Sequence, residues 1–214
     1  IYLFIYQMSE TSFKYNKLTC TKVLSGHHGS VNCLIQLTCG LLASAADDSS
    51  IKIWNPTTGE LLHTLEEHFS RVTCLTELPD GVLASGSFDT SIRLWDVSNA
   101  KCILQLNAHD AWVLDLLILN DKRLCSCSCD GNIIIYNDNV TGTNTIRINN
   151  AHGKNISIKY IYYLHDNKLV SCGADKNLKF WKIESQSYEL LKTIKAHTGT
   201  VNKVIQLRYP LIAS

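Results

Sequence analysis

The sequence has almost no net charge, because 20 lysine and arginine residues offset 19 aspartate and glutamate residues to leave a formal charge of +1. A chain so close to neutral has no general attraction to phosphate backbones or anionic membranes. We therefore do not expect nucleic acid as a partner. Long apolar runs are also missing, and the apolar stretch at residues 1–6 is too short to cross a bilayer. We expect no membrane insertion.

Proline and methionine are scarce, with three prolines and one methionine among 214 residues. Three prolines and eleven glycines are typical of a folded domain rather than a disordered tail. The methionine is Met8 and the chain begins at Ile1. We expect the sequence to be a fragment of a longer protein.

The cysteine count is odd, with nine cysteines that lie mostly within apolar runs. Buried free thiols in a reducing compartment explain this better than disulfides do. We predict an intracellular protein, cytoplasmic or nuclear. Cys125, Cys127 and Cys129 alternate along one segment, and we expect Cys127 to face away from the other two. Because no second cysteine pair follows at zinc spacing, we interpret the three thiols as packing groups and expect no metal or other cofactor.

What the sequence does contain is a repeat of 41 to 45 residues, marked by a histidine, a serine, an aspartate and an aromatic residue. The serine precedes the aspartate by four residues, and the aromatic residue follows it by six. A branched apolar residue lies four positions after each histidine, and Ile156 holds this place in the fourth unit. A fifth unit begins at His197. The four complete sets are His27, Ser44, Asp48, Trp54; His68, Ser85, Asp89, Trp95; His109, Ser126, Asp130, Tyr136; and His152, Ser171, Asp175, Trp181.

Each unit has the pattern of four short strands. In the second unit, residues 72–78 alternate apolar and polar, which is typical of a strand with one buried face. Turn residues follow at 79–81, and strand patterns recur at 82–87, 91–95 and 101–106. Four strands in about 40 residues predict one blade of an all-β propeller.

The sequence resembles the WD-repeat family, whose Gly-His and Trp-Asp pairs occur here as Gly26-His27 and Trp95-Asp96. The resemblance implies a β-propeller of four-stranded antiparallel blades. Both pairs are complete only once, and Tyr136 replaces the tryptophan in the third unit. We place the repeats at 26–65, 66–106, 107–148 and 149–194, with the last strands of a preceding blade at 1–25 and a truncated repeat at 195–214. We favour an arc of a larger propeller over a closed five-bladed ring.

Histidine, serine and aspartate together suggest a hydrolytic triad. An enzyme needs one such site, whereas this set recurs four times and always with an aromatic residue. The resemblance implies instead that each set is a hydrogen-bonded relay within one blade. We therefore predict that the protein is not an enzyme. The alternative is a hydrolytic site in the atypical third unit, and a nucleic-acid-binding propeller is a further alternative.

The resemblance also implies that one end of the blades binds partners, through positions beside the branched residue and before the relay aspartate. Arg71, Phe88 and Trp112 hold such positions and are residue types that dominate binding hot spots. Asp47 adds a charge that complements a basic partner segment. We predict a partner-binding site of Asp47, Arg71, Phe88 and Trp112 in a scaffold for other proteins or peptide segments, an adaptor or assembly subunit of a multiprotein complex. The alternative is that Phe88 and Trp112 only pack against neighbouring blades.

Overall fold

The computed structural model describes residues 2–8, 18–107, 109–138, 143–164, 166–195, 197–207 and 211–214. All regular structure in these ranges is β, in twenty strands that form six antiparallel sheets. None of these residues belongs to a helix long and apolar enough to cross a membrane.

The strands follow one another as hairpins, so neighbours in sequence are neighbours in each sheet. A first hairpin joins β1 (Tyr2–Met8) to β2 (Leu18–Ser25). Blade 1 contains β3 (Val31–Gln36), β4 (Leu42–Ala46), β5 (Ile51–Trp54) and β6 (Leu61–Leu65). Blade 2 contains β7 (Val72–Glu77), β8 (Leu83–Ser87), β9 (Ile92–Asp96) and β10 (Lys101–Leu106).

The second half of the chain repeats this arrangement. Blade 3 contains β11 (Val113–Ile118), β12 (Leu124–Ser128), β13 (Ile133–Tyr136) and β14 (Thr145–Ile148). Blade 4 contains β15 (Ile158–Tyr163), β16 (Lys168–Gly173), β17 (Asn177–Ile183) and β18 (Tyr188–Lys195). A final hairpin joins β19 (Ile205–Gln206) to β20 (Ile212–Ala213). The predicted all-β fold of four-stranded antiparallel blades is confirmed, and the described sheets do not close into a ring.

The core lies between the blades. One cluster joins Ala45 and Ile53 of blade 1 to Val72 and Leu83 of blade 2, and similar clusters fill the next two junctions. Strands β8 and β12 are therefore buried on both faces. Small residues permit this close approach: a Cβ atom on Gly86 would lie 2.6 Å from Val113 of blade 3.

Two details of the sequence interpretation were wrong. Cys127 does not face away from Cys125, since residues two apart on a strand share a face, and both are fully buried in the cluster between blades 3 and 4. In the fourth unit, Ile156 is not the branched residue that begins the first strand. Ile158 pairs with Gly173 as Val113 pairs with Ser128, so the register is shifted by two residues.

Candidate functional site

The relay of blade 2 shows how the repeated polar residues meet. His68, just before β7, places its Nδ1 atom 2.7 Å from Asp89 and its Nε2 atom 2.7 Å from the Ser85 hydroxyl. The indole of Trp95 donates to the same hydroxyl oxygen at 2.8 Å. Ser85 has no exposed surface, so its oxygen lies where no solvent or substrate reaches it.

Blades 1 and 4 repeat this geometry. The His27–Ser44 and His152–Ser171 distances are both 2.7 Å, and each serine accepts an indole N–H at 2.8 Å, from Trp54 and Trp181 respectively. The paired aspartates, Asp48 and Asp175, lie 2.9 and 2.7 Å from their histidines. Both serines are fully buried.

Blade 3 differs at the last link. His109 still contacts Asp130 and Ser126 at 2.8 Å each. The Tyr136 hydroxyl, however, lies 3.4 Å from the Ser126 hydroxyl, beyond the usual O–H···O range. Burial raises the pKa of Tyr136 to about 12, so the phenol remains neutral.

The charge of the aspartates determines which atoms donate and which accept in each relay. Burial opposes ionisation of Asp48 and Asp130, but hydrogen bonds that include those from His27 and His109 lower both pKa values to about 2. An ionised carboxylate only accepts, so histidine Nδ1 donates to it. In a neutral imidazole Nε2 then accepts from the serine hydroxyl. The serine oxygen is then free to accept the aromatic N–H. In blades 1, 2 and 4 the histidine nitrogens, the serine hydroxyl and the indole N–H of each relay therefore all have a partner.

The sequence reasoning missed one member of the relay, the residue two positions after each aspartate. The hydroxyls of Ser50 and Ser91 each donate to the relay aspartate at 2.7 Å, and the side chain of Asn177 does so at 2.9 Å. The signal was present, because this position carries serine twice and asparagine twice in four units.

The structure brings the four residues of the predicted partner site into one row across three blades. Arg71 lies 3.8 Å from Asp47, and its guanidinium carbon is 5.8 Å from the centre of the Phe88 ring. Phe88 stacks on Trp112, which is 49% exposed. The Arg71 side chain is 57% exposed. We call this row the Phe88–Trp112 surface.

The repeat geometry explains why these residues meet. In blade 2, the Phe88 amide donates to the Arg71 carbonyl at 2.9 Å, and in blade 3 the Cys129 amide donates in the same way to Trp112. Each blade therefore places the residue before its first strand beside the residue before its relay aspartate. Side chains then reach the adjacent blade, from Asp47 to Arg71 and from Phe88 to Trp112.

A cavity of about 280 Å³ borders this surface, and its walls include Arg71, Phe88, Leu114 and Lys159. The sequence reasoning missed Lys159, which follows Ile158 as Leu114 follows Val113, because the two-residue shift in the fourth unit was overlooked. The rim is held in place by hydrogen bonds between blades. Asn32 donates to the Val72 carbonyl at 2.9 Å, and Thr73 donates to the Val113 carbonyl at 2.7 Å.

All nine cysteines are free thiols. Burial raises the pKa of Cys125 and of Cys127 far above the ordinary thiol value, so neither supplies a thiolate near neutral pH. No group of three or more histidine, cysteine, aspartate or glutamate residues in the described part of the chain has the geometry to hold a metal ion.

The blades and their relays define a propeller of repeated units. The family model described as WD domain, G-beta repeat matches residues 18–55, 59–96, 100–137 and 143–182. These matches cover more than half of the chain, and the protein belongs to this family. Each match begins on the last strand of one sheet or within two residues before it, and ends on the third strand of the next sheet or one residue after it.

Curated relatives match only short parts of the chain. A probable E3 ubiquitin ligase complex SCF subunit, sconB, of Aspergillus oryzae is 46% identical over 55 residues, which are 26% of this chain and 8% of that protein. A probable cytosolic Fe-S cluster assembly factor of Schizosaccharomyces japonicus is 35% identical over 60 residues, which are 28% of this chain and 10% of that protein. The matched parts are thus about a tenth of these relatives or less. The two names describe different assemblies, so the likeness supports the repeat family and no single role.

Proposed function

We propose that this chain is a non-catalytic scaffold that binds a segment of another protein at the Phe88–Trp112 surface. In this role it acts inside the cell as an adaptor or assembly subunit of a multiprotein complex. The observation that carries the proposal is the exposed aromatic stack, flanked by a charged pair and a cavity. Aromatic and arginine side chains held in place by their neighbours bind with little loss of conformational entropy.

Burial of the relay supports a non-catalytic role. A serine nucleophile must reach a substrate carbonyl, yet the four relay serines have no exposed surface, and in blades 1, 2 and 4 each oxygen also accepts an indole N–H. The third unit offers no better site, since Ser126 is equally buried. Several free thiols within the core support an intracellular, reducing location.

The proposal is tested by affinity capture from a cell lysate followed by mass spectrometry. The parent is compared with Phe88→Ala/Trp112→Ala and with Tyr188→Ala, a control that removes an aromatic residue of similar exposure (42%) from the outer strand of blade 4. We expect one or more specific partners to disappear only from the double variant, with all three proteins folded under the conditions of the capture. Identical partner sets would contradict the binding site. Absence of any specific partner would contradict the scaffold role itself.

A further inference from the structure

The cavity beside the Phe88–Trp112 surface lies where the first strands of the blades begin. Its walls include the residue that follows the branched apolar residue in each of the five units. These residues are Asn32, Thr73, Leu114, Lys159 and Asn202. All four blades therefore border one space of about 280 Å³, and the chemistry of these side chains determines what the cavity can bind.

Two of the polar side chains are already bonded within the fold. The side-chain amide of Asn32 donates to Asp47 and to the Val72 carbonyl, at 2.9 Å each. The Thr73 hydroxyl donates to the Val113 carbonyl at 2.7 Å. An amide has two N–H groups and a hydroxyl has one O–H group, so neither side chain has a donor left for a ligand.

Lys159 differs from these neighbours because its charge is not balanced. The residue is half-buried, and the described part of the chain gives its ammonium group no hydrogen bond or ion pair. Asp47 is the one acidic residue among the described residues that line the cavity, and it already accepts from Asn32 and lies 3.8 Å from Arg71. Two cationic side chains and one anionic side chain thus leave an excess of one positive charge.

Apolar groups border this charge. Leu114 and Phe88 form apolar walls of the cavity. The Phe88 ring stacks on Trp112, which is 49% exposed and extends the apolar area beyond the cavity. An exposed ion pair alone contributes little to binding, whereas aromatic anchors contribute much more. A ligand that pairs with Lys159 and covers these apolar groups at the same time therefore fits the cavity best.

We propose that the partner segment bound at the Phe88–Trp112 surface places an aspartate or glutamate carboxylate against Lys159, with an apolar neighbour on Leu114 and Phe88. This inference rests on the proposed function and names the chemistry of the partner. It differs from the expectation drawn from Asp47 alone, which was a basic partner segment. The reason is that Asp47 already has partners within the chain, whereas Lys159 has none among the described residues.

A carboxylate fits this cavity better than a phosphate group does. A carboxylate carries one negative charge, which matches the excess positive charge of the cavity. A phosphorylated side chain carries about −1.5 to −2 charges near neutral pH. The described lining residues include no cation beyond Arg71 and Lys159, so the additional negative charge would be opposed by Asp47.

The test is an NMR titration of the whole chain with four peptides, each Nα-acetyl-leucyl-leucine amide with one residue inserted between the two leucines. The inserted residue is glutamate, glutamine, lysine or phosphoserine. We expect the glutamate peptide to shift the backbone amides of Thr73, Leu114 and Lys159 saturably. It should bind about three- to tenfold more tightly than the glutamine peptide. The lysine peptide should bind more weakly still, and the phosphoserine peptide no more tightly than the glutamate peptide.

Two variants assign the preference to one side chain. Lys159→Gln should bind the glutamate and glutamine peptides equally. Lys101→Gln removes the same charge from an exposed position on β10 and should keep the preference of the parent. Lys159→Glu should reverse the preference, so that the lysine peptide binds more tightly than the glutamate peptide. If Lys159→Glu does not fold, the Lys159→Gln result decides.

Several results would overturn the proposal. These are the absence of saturable shifts at the cavity, equal binding of the glutamate and glutamine peptides by the parent, tighter binding of the phosphoserine peptide, and an unchanged preference in Lys159→Gln. Failure of the proposed function is a separate outcome. Equal binding of both peptides that is lost in Phe88→Ala/Trp112→Ala would keep the binding surface and reject the carboxylate, and the partner-capture experiment tests the surface without regard to charge.

Discussion

The phenyl ring of Phe88 lies flat against the indole of Trp112, with ring centroids 4.0 Å apart and planes within 5° of parallel. Phe88 belongs to the turn after β8 and Trp112 to the segment before β11, so the stack joins blade 2 to blade 3. This position is compatible with two roles for the pair, packing between blades and binding a partner. If the pair serves mainly to pack the blades together, its loss should lower the free energy of unfolding more than if it serves mainly to bind a partner.

A double-mutant cycle of Phe88→Ala and Trp112→Ala separates these roles. We expect a coupling free energy of about 0.5–1.5 kcal/mol, the range of an aromatic pair, because both rings remain partly exposed. The measurement is urea unfolding of the parent and of the three variants. A coupling well above this range, or single variants that do not fold, would favour a purely structural role and argue against the binding site.

The third blade should depend less on its aromatic link than the second does. Trp95→Phe removes an indole N–H that donates to Ser85 at 2.8 Å and leaves a cavity in the core. We expect a loss of about 2–4 kcal/mol in the free energy of unfolding. Tyr136→Phe removes a contact of 3.4 Å, and Ser126 retains its bond to His109. The expected loss is below about 1 kcal/mol.

Chemical denaturation of both variants checks this difference. Trp95→Phe also removes ring volume, so the Tyr136→Phe result carries the test of the hydrogen bond. A loss well above about 1 kcal/mol in Tyr136→Phe would mean that the Tyr136 hydroxyl forms a strong hydrogen bond, contrary to the geometry.

The turn after the relay aspartate stores backbone strain in blade 2. Thr90 has φ of 74°, in the left-handed region that β-branched residues avoid, whereas blade 3 has Gly131 at the same place with φ of 84°. Relief of this strain in Thr90→Gly is worth about 1–2 kcal/mol, partly offset by about 0.4–1 kcal/mol from the more flexible unfolded chain. We expect Thr90→Gly to raise the melting temperature slightly.

Gly131→Ala is the matched opposite substitution. An added Cβ atom would lie 2.6 Å from the Gly153 carbonyl, so the backbone must move and stability should fall. Thermal unfolding of both variants tests the pair. A lower melting temperature for Thr90→Gly would show that the threonine side chain makes a stabilising contact that outweighs the strain.

The relays could be predicted from the sequence because each one spans two hairpins whose strands have the same lengths in every blade. His, Ser, Asp and Trp then fall at constant spacing, and a fourfold repetition of one pattern predicts one fold for each unit. The row from Asp47 to Trp112 was also found from spacing, since it depends on the same register in three consecutive blades. Its role in binding stays a prediction.

Departures from the repeat could not be found in this way. The fourth unit has two extra residues between His152 and β15, and a residue count cannot say on which side of Ile156 they lie. The hydrogen-bonded register places Ile158 at the start of the strand and so brings Lys159 to the cavity. The bond from the Arg123 guanidinium to the Glu184 carbonyl, at 3.0 Å, could not be found either, because it joins residues of two blades that are 61 positions apart.

Asp115 is a partly buried acid on β11, at the junction of blades 3 and 4. Its Oδ2 atom accepts from the Ile161 amide of β15 at 3.1 Å. Burial raises its pKa to about 7, against smaller lowering effects from the Ile161 and Leu116 amides and from Lys203. The other titratable side chains around it are Cys33, Cys74, Cys125, Cys127, Tyr160 and Cys172.

This shift makes Asp115 destabilising at neutral and higher pH. In the unfolded chain an aspartate has a pKa of about 3.9, so between about pH 4 and pH 7 the folded state holds a proton that the unfolded state has lost. The stability contributed by the protonated group is complete below about pH 4 and is lost as the pH rises toward 7. The relay aspartates Asp48 and Asp130 have the opposite sign, since their lowered pKa values remove stability only as the pH falls from about 4 toward 2.

Asp115→Asn should therefore stabilise the protein above pH 7 and have little effect near pH 4. The asparagine oxygen still accepts from the Ile161 amide but carries no charge, and each unit of pKa shift is worth about 1.4 kcal/mol. Urea unfolding of parent and variant from pH 4 to pH 8 measures the difference, and Asp80→Asn, an exposed aspartate, is the control. A variant whose advantage does not grow with pH would mean that Asp115 ionises in the folded state as readily as in water.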